Sequence, residues 1–153
     1  MNLSIRQATP DDIDIVVDYN ARIAAETEQT VLDRERLREG VAAILNDQSR
    51  GLYFLAEIDG RPVGQISVTY EWSDWRNANF WWLQSVYVEG TYRGQGIFSR
   101  LFSHIVSQSK VNSSVCGLRL YVDRENRPAQ AVYARLGFEP ARYDMMELGY
   151  GLE

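Results

Sequence analysis

Apolar residues recur along the chain with two periods, which predict strands and helices in turn. Alternation over Leu3–Ala8 predicts a first strand, and Thr9–Asp12 is typical of a helix start, with an N-cap, a proline and two acids. Apolar residues at helical spacing over Ile13–Ala24 predict one amphipathic helix, and we expect Asp33 to cap a second one. Two helices are therefore predicted after the first strand.

The middle of the chain has the spacing of strands. Leu52–Ile58 and Val63–Tyr70 are predicted to form an antiparallel pair, because the Asp59-Gly60 dipeptide between them favours a hairpin turn. Phe80–Val88 is rich in aromatic and β-branched residues and predicts a further strand. A run of three strands therefore follows the two helices.

The second half of the chain returns to alternating elements. Glu89–Gly96 is a glycine-containing loop, and the apolar pattern from Ile97 to Lys110 predicts a helix. A strand is predicted over Gly117–Val122, a short helix over Arg127–Leu136 and a closing strand over Arg142–Leu148. The order β-α-α-β-β-β-α-β-α-β predicts an α/β fold with a mixed sheet.

Composition narrows the classes of protein and function. A length of 153 residues with 45% hydrophobic residues suits a single domain over residues 1–153. The net charge of -5, without a basic stripe, argues against nucleic acid as a partner. Cys116 is the only cysteine and His104 the only histidine, so we expect neither a disulfide nor a metal site. No segment is typical of a signal peptide or a membrane helix, which predicts a cytoplasmic location.

The loop Arg93–Phe98 has the features of an anion site. It follows a predicted strand and opens a helix, where main-chain N–H groups and the helix dipole converge. Gly94 and Gly96 let the backbone approach a pyrophosphate, and Arg93 adds positive charge. The loop lacks the Gly-Lys-Ser/Thr of a P-loop and the third glycine of a dinucleotide fingerprint. A glycine turn that only joins a strand to a helix is the alternative.

These motifs resemble those of the GCN5-related N-acetyltransferase (GNAT) family. The family pattern Arg/Gln-x-x-Gly-x-Gly/Ala is met by Arg93-Gly94-Gln95-Gly96-Ile97, and Phe98 departs from it where the family has a small residue. The order of elements, Val86-Tyr87-Val88 before the loop and Asn126-x6-Tyr133-x3-Gly137-Phe138 after it extend the resemblance over nearly the whole chain. The resemblance implies a single α/β domain with a mixed sheet of about seven strands and flanking helices.

The resemblance also implies acetyl-CoA as the acyl donor. In similar proteins the pantetheine arm lies like an added strand against the main chain, here at Val86, Tyr87 and Val88. The phosphates are expected at Arg93, Gly94, Gln95, Gly96, Ile97 and Phe98. The larger side chain of Phe98 is expected to narrow the groove for the donor. Asn126 matches a position that contacts the cofactor, although as an N-cap it would have a purely structural role.

Catalytic roles follow from the same resemblance. Tyr133 matches the general acid that protonates the departing thiolate, and the alternative is a tyrosine that only packs in the core. Many relatives carry a glutamate base on the fourth strand, but no acid lies within Asn77–Val88. Gln84 is therefore expected to hold a water that relays the proton, or else Glu71 or Asp74 acts as the base.

The region around the fourth strand is the candidate acceptor site. Trp72, Asp74 and Trp82 belong to a dense aromatic and acidic stretch that suits an ammonium group, or that instead packs the core or a contact between two copies. The sequence therefore predicts an acetyl-CoA-dependent N-acetyltransferase that acts directly on a primary amine of a small molecule or peptide. A homodimer is expected as well. The alternatives are a non-catalytic acyl-CoA-binding module and a binding domain that does not bind CoA.

Overall fold

The computed structural model describes residues 2–151, which separate into two compact units. One unit ends at Tyr121 and contains the whole sheet, and the other begins at Val122 and contains one helix. The single domain over residues 1–153 that the sequence suggests stays a prediction. None of the helices in the described range has both the length and the apolar character needed to cross a bilayer.

The larger unit follows the predicted order of elements. It contains β1 (Leu3–Gln7), α1 (Ile13–Glu28), α2 (Arg34–Asn46), β2 (Leu52–Ile58), β3 (Arg61–Ser73), β4 (Ala78–Val88), α3 (Ile97–Val111) and β5 (Val115–Leu120). Short 3-10 turns, Pro10–Asp12 and Gly90–Tyr92, precede α1 and α3. The smaller unit contains α4 (Arg127–Arg135).

The sheet is open and mixed, as predicted. Its strands lie in sequence order, β1-β2-β3-β4-β5. The first four strands pair antiparallel, whereas β4 and β5 are parallel. A parallel pair needs a long crossover connection, and α3 supplies it. The chain therefore has an α/β fold in which α3 leads from one end of β4 back to the beginning of β5.

The number of strands is a correction to the sequence prediction. The sheet has five strands in the described residues rather than about seven, and the predicted closing strand Arg142–Leu148 has no regular secondary structure. A strand needs a main-chain partner, and none of the five strands pairs with these residues. Alternation of apolar and polar residues therefore mispredicted this segment, whose Met146 and Leu148 are exposed.

Local sequence signals explain the turns and helix starts. Asp59 and Gly60 have φ angles of 51° and 79°, the positive values that a two-residue hairpin turn requires. The Asp33 side chain accepts a hydrogen bond of 3.1 Å from the Arg36 N–H and so caps α2. Both features were predicted because each depends only on residues that are adjacent in the sequence.

Helices cover the two faces of the sheet. On one face, α1 and α2 pack on β2, and the buried cluster there consists of Ala8, Val16, Val17, Val41, Leu45, Tyr53 and Leu55. Side chains alternate between the faces of a strand, so Phe54 points the other way and its ring contacts His104 of α3 at 5.1 Å. The two faces of the sheet are therefore covered by different helices, one by α1 and α2 and the other by α3.

Gly64 of β3 lies close to both β4 and α3. A Cβ atom added there would lie 2.9 Å from the Tyr87 carbonyl oxygen and 3.4 Å from the Ile97 side chain. The neighbouring carbonyl belongs to the ladder, so it cannot move away without distorting β4. Glycine at position 64 is therefore required for the packing of β4 against α3.

We predict opposite effects for one substitution at two glycines. Gly64→Ala should destabilise the fold by roughly 1–3 kcal/mol, because the added methyl group overpacks the β3–β4 ladder. Gly40→Ala should stabilise it by roughly 0.5–1 kcal/mol, because Gly40 lies exposed inside α2 with nothing within 4 Å. Urea unfolding of both variants measures the difference. Equal effects at the two positions would contradict this description of Gly64.

Candidate active site

One end of β4 has an unpaired edge. The pairing with β5 ends at Leu83 opposite Leu120, whereas β4 continues to Val88. No strand of the described residues pairs with Gln84–Val88 on the side opposite β3. Main-chain groups along such an edge can pair with any extended ligand that carries amide groups. The Val86, Tyr87 and Val88 of the sequence prediction all lie on this edge.

The loop after this edge is shaped by two glycines. Gly94 and Gly96 have φ angles of 76° and 81°, and nothing lies within 4 Å of where their Cβ atoms would be. The first turn of a helix has N–H groups without helical partners, and Gly96, as the N-cap of α3, has no side chain to cap them. These donors and the dipole of α3 make the loop suitable for an anion.

The other predicted loop residues have mainly structural contacts. The Gln95 side chain donates a hydrogen bond of 3.1 Å to the Thr91 carbonyl, which stays within the loop. Ile97 is buried against the sheet, and the Phe98 ring stacks on Phe102 at 6.1 Å, one turn further along α3. Contact of these three residues with phosphate would therefore use main-chain rather than side-chain groups.

Arg93 is held by β4 and α1. Its guanidinium donates to the Val88 carbonyl at 2.8 Å and to Glu26 at 3.1 Å, and it lies 5.4 Å from the centre of the Tyr87 ring. The Tyr87 hydroxyl also donates to Glu26, at 2.7 Å. These hydrogen bonds, first from Tyr87 and then from Arg93, hold the pKa of Glu26 below its ordinary value. Glu26 is thus an ionised carboxylate beside the unpaired edge.

These residues border a surface groove of about 460 Å³. Its lining residues come from α1, the end of β4 and the glycine loop: Ile23, Glu26, Thr27, Val86, Tyr87, Val88, Arg93 and Phe98. The groove therefore brings together five of the residues that the sequence predicts to hold the acyl donor, namely Val86, Tyr87, Val88, Arg93 and Phe98. The position of Glu26 at the groove could not be predicted from the sequence, because its partner Tyr87 lies 61 positions further along the chain.

A buried tyrosine fastens α1 to the same end of β4. The Tyr19 hydroxyl donates to Glu89 at 2.7 Å, and the Tyr19 and Tyr87 rings lie 5.0 Å apart. Burial, followed by the contact with the Glu89 carboxylate, raises the pKa of Tyr19, so its hydroxyl keeps its proton and continues to donate. The contact of Tyr19 with Glu89, about two turns earlier in α1, therefore helps to hold Glu26 at the groove.

The predicted base Glu71 is already engaged. One of its oxygens accepts from the Trp82 indole N–H at 2.9 Å, and the other accepts from Arg119 at 2.8 Å. The Arg119 guanidinium also lies 3.6 Å from the centre of the Phe80 ring. Gln84, the alternative for the proton relay, donates to the Thr69 hydroxyl at 2.7 Å. Glu71 and Gln84 therefore lie on the same face of the sheet, but with different partners.

The aromatic stretch does not form one continuous wall. Trp72 and Trp75 are 58% and 84% exposed, whereas Trp81 is buried. Trp82 lies between these extremes, with its ring 4.4 Å from that of Tyr121. Asp74 is exposed in the turn between β3 and β4. The Trp82 side chain is held by its hydrogen bond to Glu71 and by the ring contact with Tyr121.

The remaining predicted residues belong to the smaller unit. Asn126 is the N-cap of α4, where its side chain accepts a hydrogen bond of 3.2 Å from the Ala129 N–H. Tyr133 is partly buried in α4, with the Phe138 ring 5.8 Å away in an edge-to-face contact. Burial raises the pKa of Tyr133, so the phenol is protonated at neutral pH. The capping role of Asn126 is confirmed, and its contact with a cofactor stays a prediction.

Comparison with known proteins identifies similar sequences and structures. Residues 17–138 match the model of the Acetyltransferase (GNAT) family. An uncharacterised N-acetyltransferase of Methanocaldococcus jannaschii is 24% identical over 137 residues, which are 89% of this chain. The chain spans 60% of the length of that relative.

Solved structures share the fold over nearly the whole chain. A possible acetyltransferase from Clostridium difficile 630 has a TM-score of 0.93 and 42% sequence identity, covering 98% of this chain and 99% of that one. A predicted acetyltransferase from Clostridium acetobutylicum, determined with acetyl-CoA, has a TM-score of 0.78 and 19% identity, covering 97% of this chain and 96% of that one. At this lower identity the second similarity concerns the fold alone.

The lowered pKa of Glu26 predicts a pH-dependent stability. A carboxylate whose pKa is lowered by folding adds stability above its unfolded pKa of about 4.3, and this stability is lost as the pH falls through the folded value. Glu26→Gln should therefore lower Tm at pH 6–8, and the difference from the native protein should shrink as the pH falls below about 4.3 and vanish below the folded pKa of Glu26. The exposed Glu28, also in α1, gives the matched control Glu28→Gln, which should not lower Tm. A pH-independent difference for Glu26→Gln would contradict the contacts described here.

Proposed function

The chain belongs to the Acetyltransferase (GNAT) family, and on this premise we propose that it transfers an acetyl group from acetyl-CoA directly to a primary amine of a small molecule or peptide. The observation that carries the proposal is the unpaired edge Gln84–Val88, which leads directly into the glycine loop and the N-terminus of α3. This edge and this loop suit the two chemically different parts of CoA.

The pantetheine arm of CoA is an extended chain with two amide groups. Such a chain can pair with the main chain of Gln84–Val88 in the way that an added strand pairs with a sheet edge. The diphosphate of CoA carries negative charge, for which the N–H groups around Gly94 and Gly96 are suitable donors. The groove of about 460 Å³ beside Val86 and Phe98 offers space for the arm. The donor is thereby recognised largely through the backbone.

Transfer requires two proton movements, one away from the amine and one onto the departing thiolate. The amine nitrogen bonds to the thioester carbonyl carbon, the carbon–sulfur bond breaks, and the sulfur leaves with the bonding electron pair. The amine loses one proton, and the thiolate gains one. In our proposal Tyr133 donates the proton to the thiolate, because its raised pKa keeps the phenol protonated at neutral pH. No covalent enzyme intermediate is required.

Removal of the amine proton is assigned to a water held by Gln84. The Glu71 carboxylate is less suited to this role, because it already accepts from Trp82 and Arg119. Glu71, Trp82, Trp72 and Asp74 are instead proposed to line the approach of the acceptor. Dimer formation and a cytoplasmic location stay predictions.

A matched pair of glycine variants tests the donor site. Gly96→Ala places a methyl group where phosphate would approach and should weaken acetyl-CoA binding at least about ten-fold. Gly60→Ala is the control, since Gly60 also has a positive φ and open space but lies in the hairpin turn between β2 and β3. Both variants should lose similar Tm. Calorimetric titration with acetyl-CoA measures the affinities, and equal affinities would contradict the assignment of the loop.

Turnover tests the reaction itself. The native protein, incubated with acetyl-CoA and a panel of amines, should release free thiol with at least one acceptor, and Tyr133→Phe should lower kcat by about 10²–10⁴-fold. Because the pKa of Tyr133 is raised, its deprotonation should cause no loss of kcat below about pH 10. If the native protein binds acetyl-CoA but transfers to no amine, a non-catalytic acyl-CoA-binding module becomes the better description.

A further inference from the structure

The ladder between β3 and β4 contains one irregularity. Gln65 pairs with Tyr87 and Ser67 pairs with Gln84, so Ser85 and Val86 together oppose the single residue Ile66. Ser85 has a φ angle of 51°, in the left-handed region that residues with a side chain rarely adopt. The β4 strand therefore contains a bulge within the stretch that carries the unpaired edge.

Two side chains of β3 fasten this bulge. The Ser67 hydroxyl donates to the Gln84 carbonyl and the Gln65 amide donates to the Ser85 carbonyl, each at 3.0 Å. Both side chains are buried, at 0% exposure for Gln65 and 2% for Ser67. Two consecutive carbonyls of β4, those of Gln84 and Ser85, thus accept hydrogen bonds from side chains of the neighbouring strand.

Gln65 is an unusual residue for a buried position. Its second amide atom, Oε1, has no hydrogen-bond partner within the described part of the chain. A buried oxygen without a partner reduces stability, and an apolar side chain of similar size avoids that cost. Costly features of this kind concentrate where function needs them. Here the strained Ser85 and the buried amide of Gln65 occur at one point of the sheet.

The geometry of the peptide unit connects this contact to the reaction. In a trans peptide the C=O of one residue and the N–H of the next point in opposite directions. Because the Gln65 amide holds the Ser85 carbonyl, it also fixes the direction of the Val86 N–H, which belongs to the stretch that carries the unpaired edge. A donor bound along that edge would bring its thioester carbonyl close to this stretch.

We propose that Gln65 and Ser67 are positioning residues, which fix the β4 bulge so that the Val86 N–H is aimed in advance at the thioester carbonyl oxygen. This inference rests on the proposed transfer reaction. The carbonyl oxygen gains negative charge as the amine attacks, and a donor that is already oriented stabilises this charge without reorganisation. The two β3 side chains act through the main chain of β4 and contact no reacting atom.

Ser67 has a matched control elsewhere in the chain. The Ser109 hydroxyl is also buried and donates to a main-chain carbonyl, that of Val106 at 2.9 Å, but both residues belong to α3 and lie far along it from the loop. Ser67→Ala and Ser109→Ala therefore remove the same chemical group from equally buried positions. A purely structural role of Ser67 predicts the same consequences for both variants.

The experiment compares steady-state kinetics and Tm for four variants. Ser67→Ala should lower kcat about ten-fold and Gln65→Met about a hundred-fold, since loss of an oriented oxyanion donor lowers kcat by about 10²–10³-fold. KM for acetyl-CoA should stay within about two-fold, because the edge and the loop that bind it are retained. Ser109→Ala should lower Tm as much as Ser67→Ala without changing kcat, and Ser67→Thr, which keeps the hydroxyl, should retain kcat.

The results that would contradict the positioning role differ from those that would contradict the transfer reaction. If Ser67→Ala lowers kcat no more than Ser109→Ala at equal loss of Tm, or Ser67→Thr is as impaired as Ser67→Ala, the positioning role is wrong while the transfer reaction stands. If Gln65→Met does not fold, the comparison of Ser67 with Ser109 decides by itself. If the native protein transfers acetyl groups to no amine, the proposed function fails, and the positioning role fails with it.

Discussion

Strand β4 pairs with β3 on one side and with β5 on the other, and the candidate site depends on the different lengths of these two pairings. Its antiparallel ladder with β3 reaches Val88, whereas its parallel ladder with β5 ends at Leu83. Gln84–Val88 consequently keep one edge without a strand partner, and backbone groups left in this way seek other partners. The bulge at Ser85 lies within the same stretch. An extended ligand with amide groups can pair with a main-chain edge of this kind.

The rest of the larger unit holds this edge in place. Tyr19 binds Glu89 just beyond β4, and the next turns of α1 bring Glu26 to Tyr87 and Arg93. On the other face, the close packing of Gly64 against Ile97 fixes the start of α3 next to β4. These contacts hold the edge and the glycine loop next to each other, as our proposal that one ligand contacts both requires.

Sequence reasoning succeeded where the determining residues are neighbours in the chain. Leu52–Ile58 was predicted to the residue because the Asp59-Gly60 turn defines its end, and the glycine-containing loop was correctly predicted to separate β4 from α3. It failed where distant residues decide. No sequence motif near Glu26 predicts its contact with Tyr87, and none near Ser85 predicts its left-handed backbone. The alternating pattern of Arg142–Leu148 does not form a strand, because no strand of the sheet pairs with it.

The most direct test of the account is a titration with acetyl-CoA followed by backbone amide resonances in NMR spectra. The account predicts that the resonances of Val86 and Val88 and those of Gly94, Gly96 and Ile97 shift together, with one dissociation constant, because one ligand contacts both the edge and the loop. Resonances of the hairpin turn at Gly60, in contrast, should not move. If acetyl-CoA leaves these edge and loop resonances unchanged, or shifts only residues elsewhere, the assignment of β4 and its loop as the acyl-donor site is wrong.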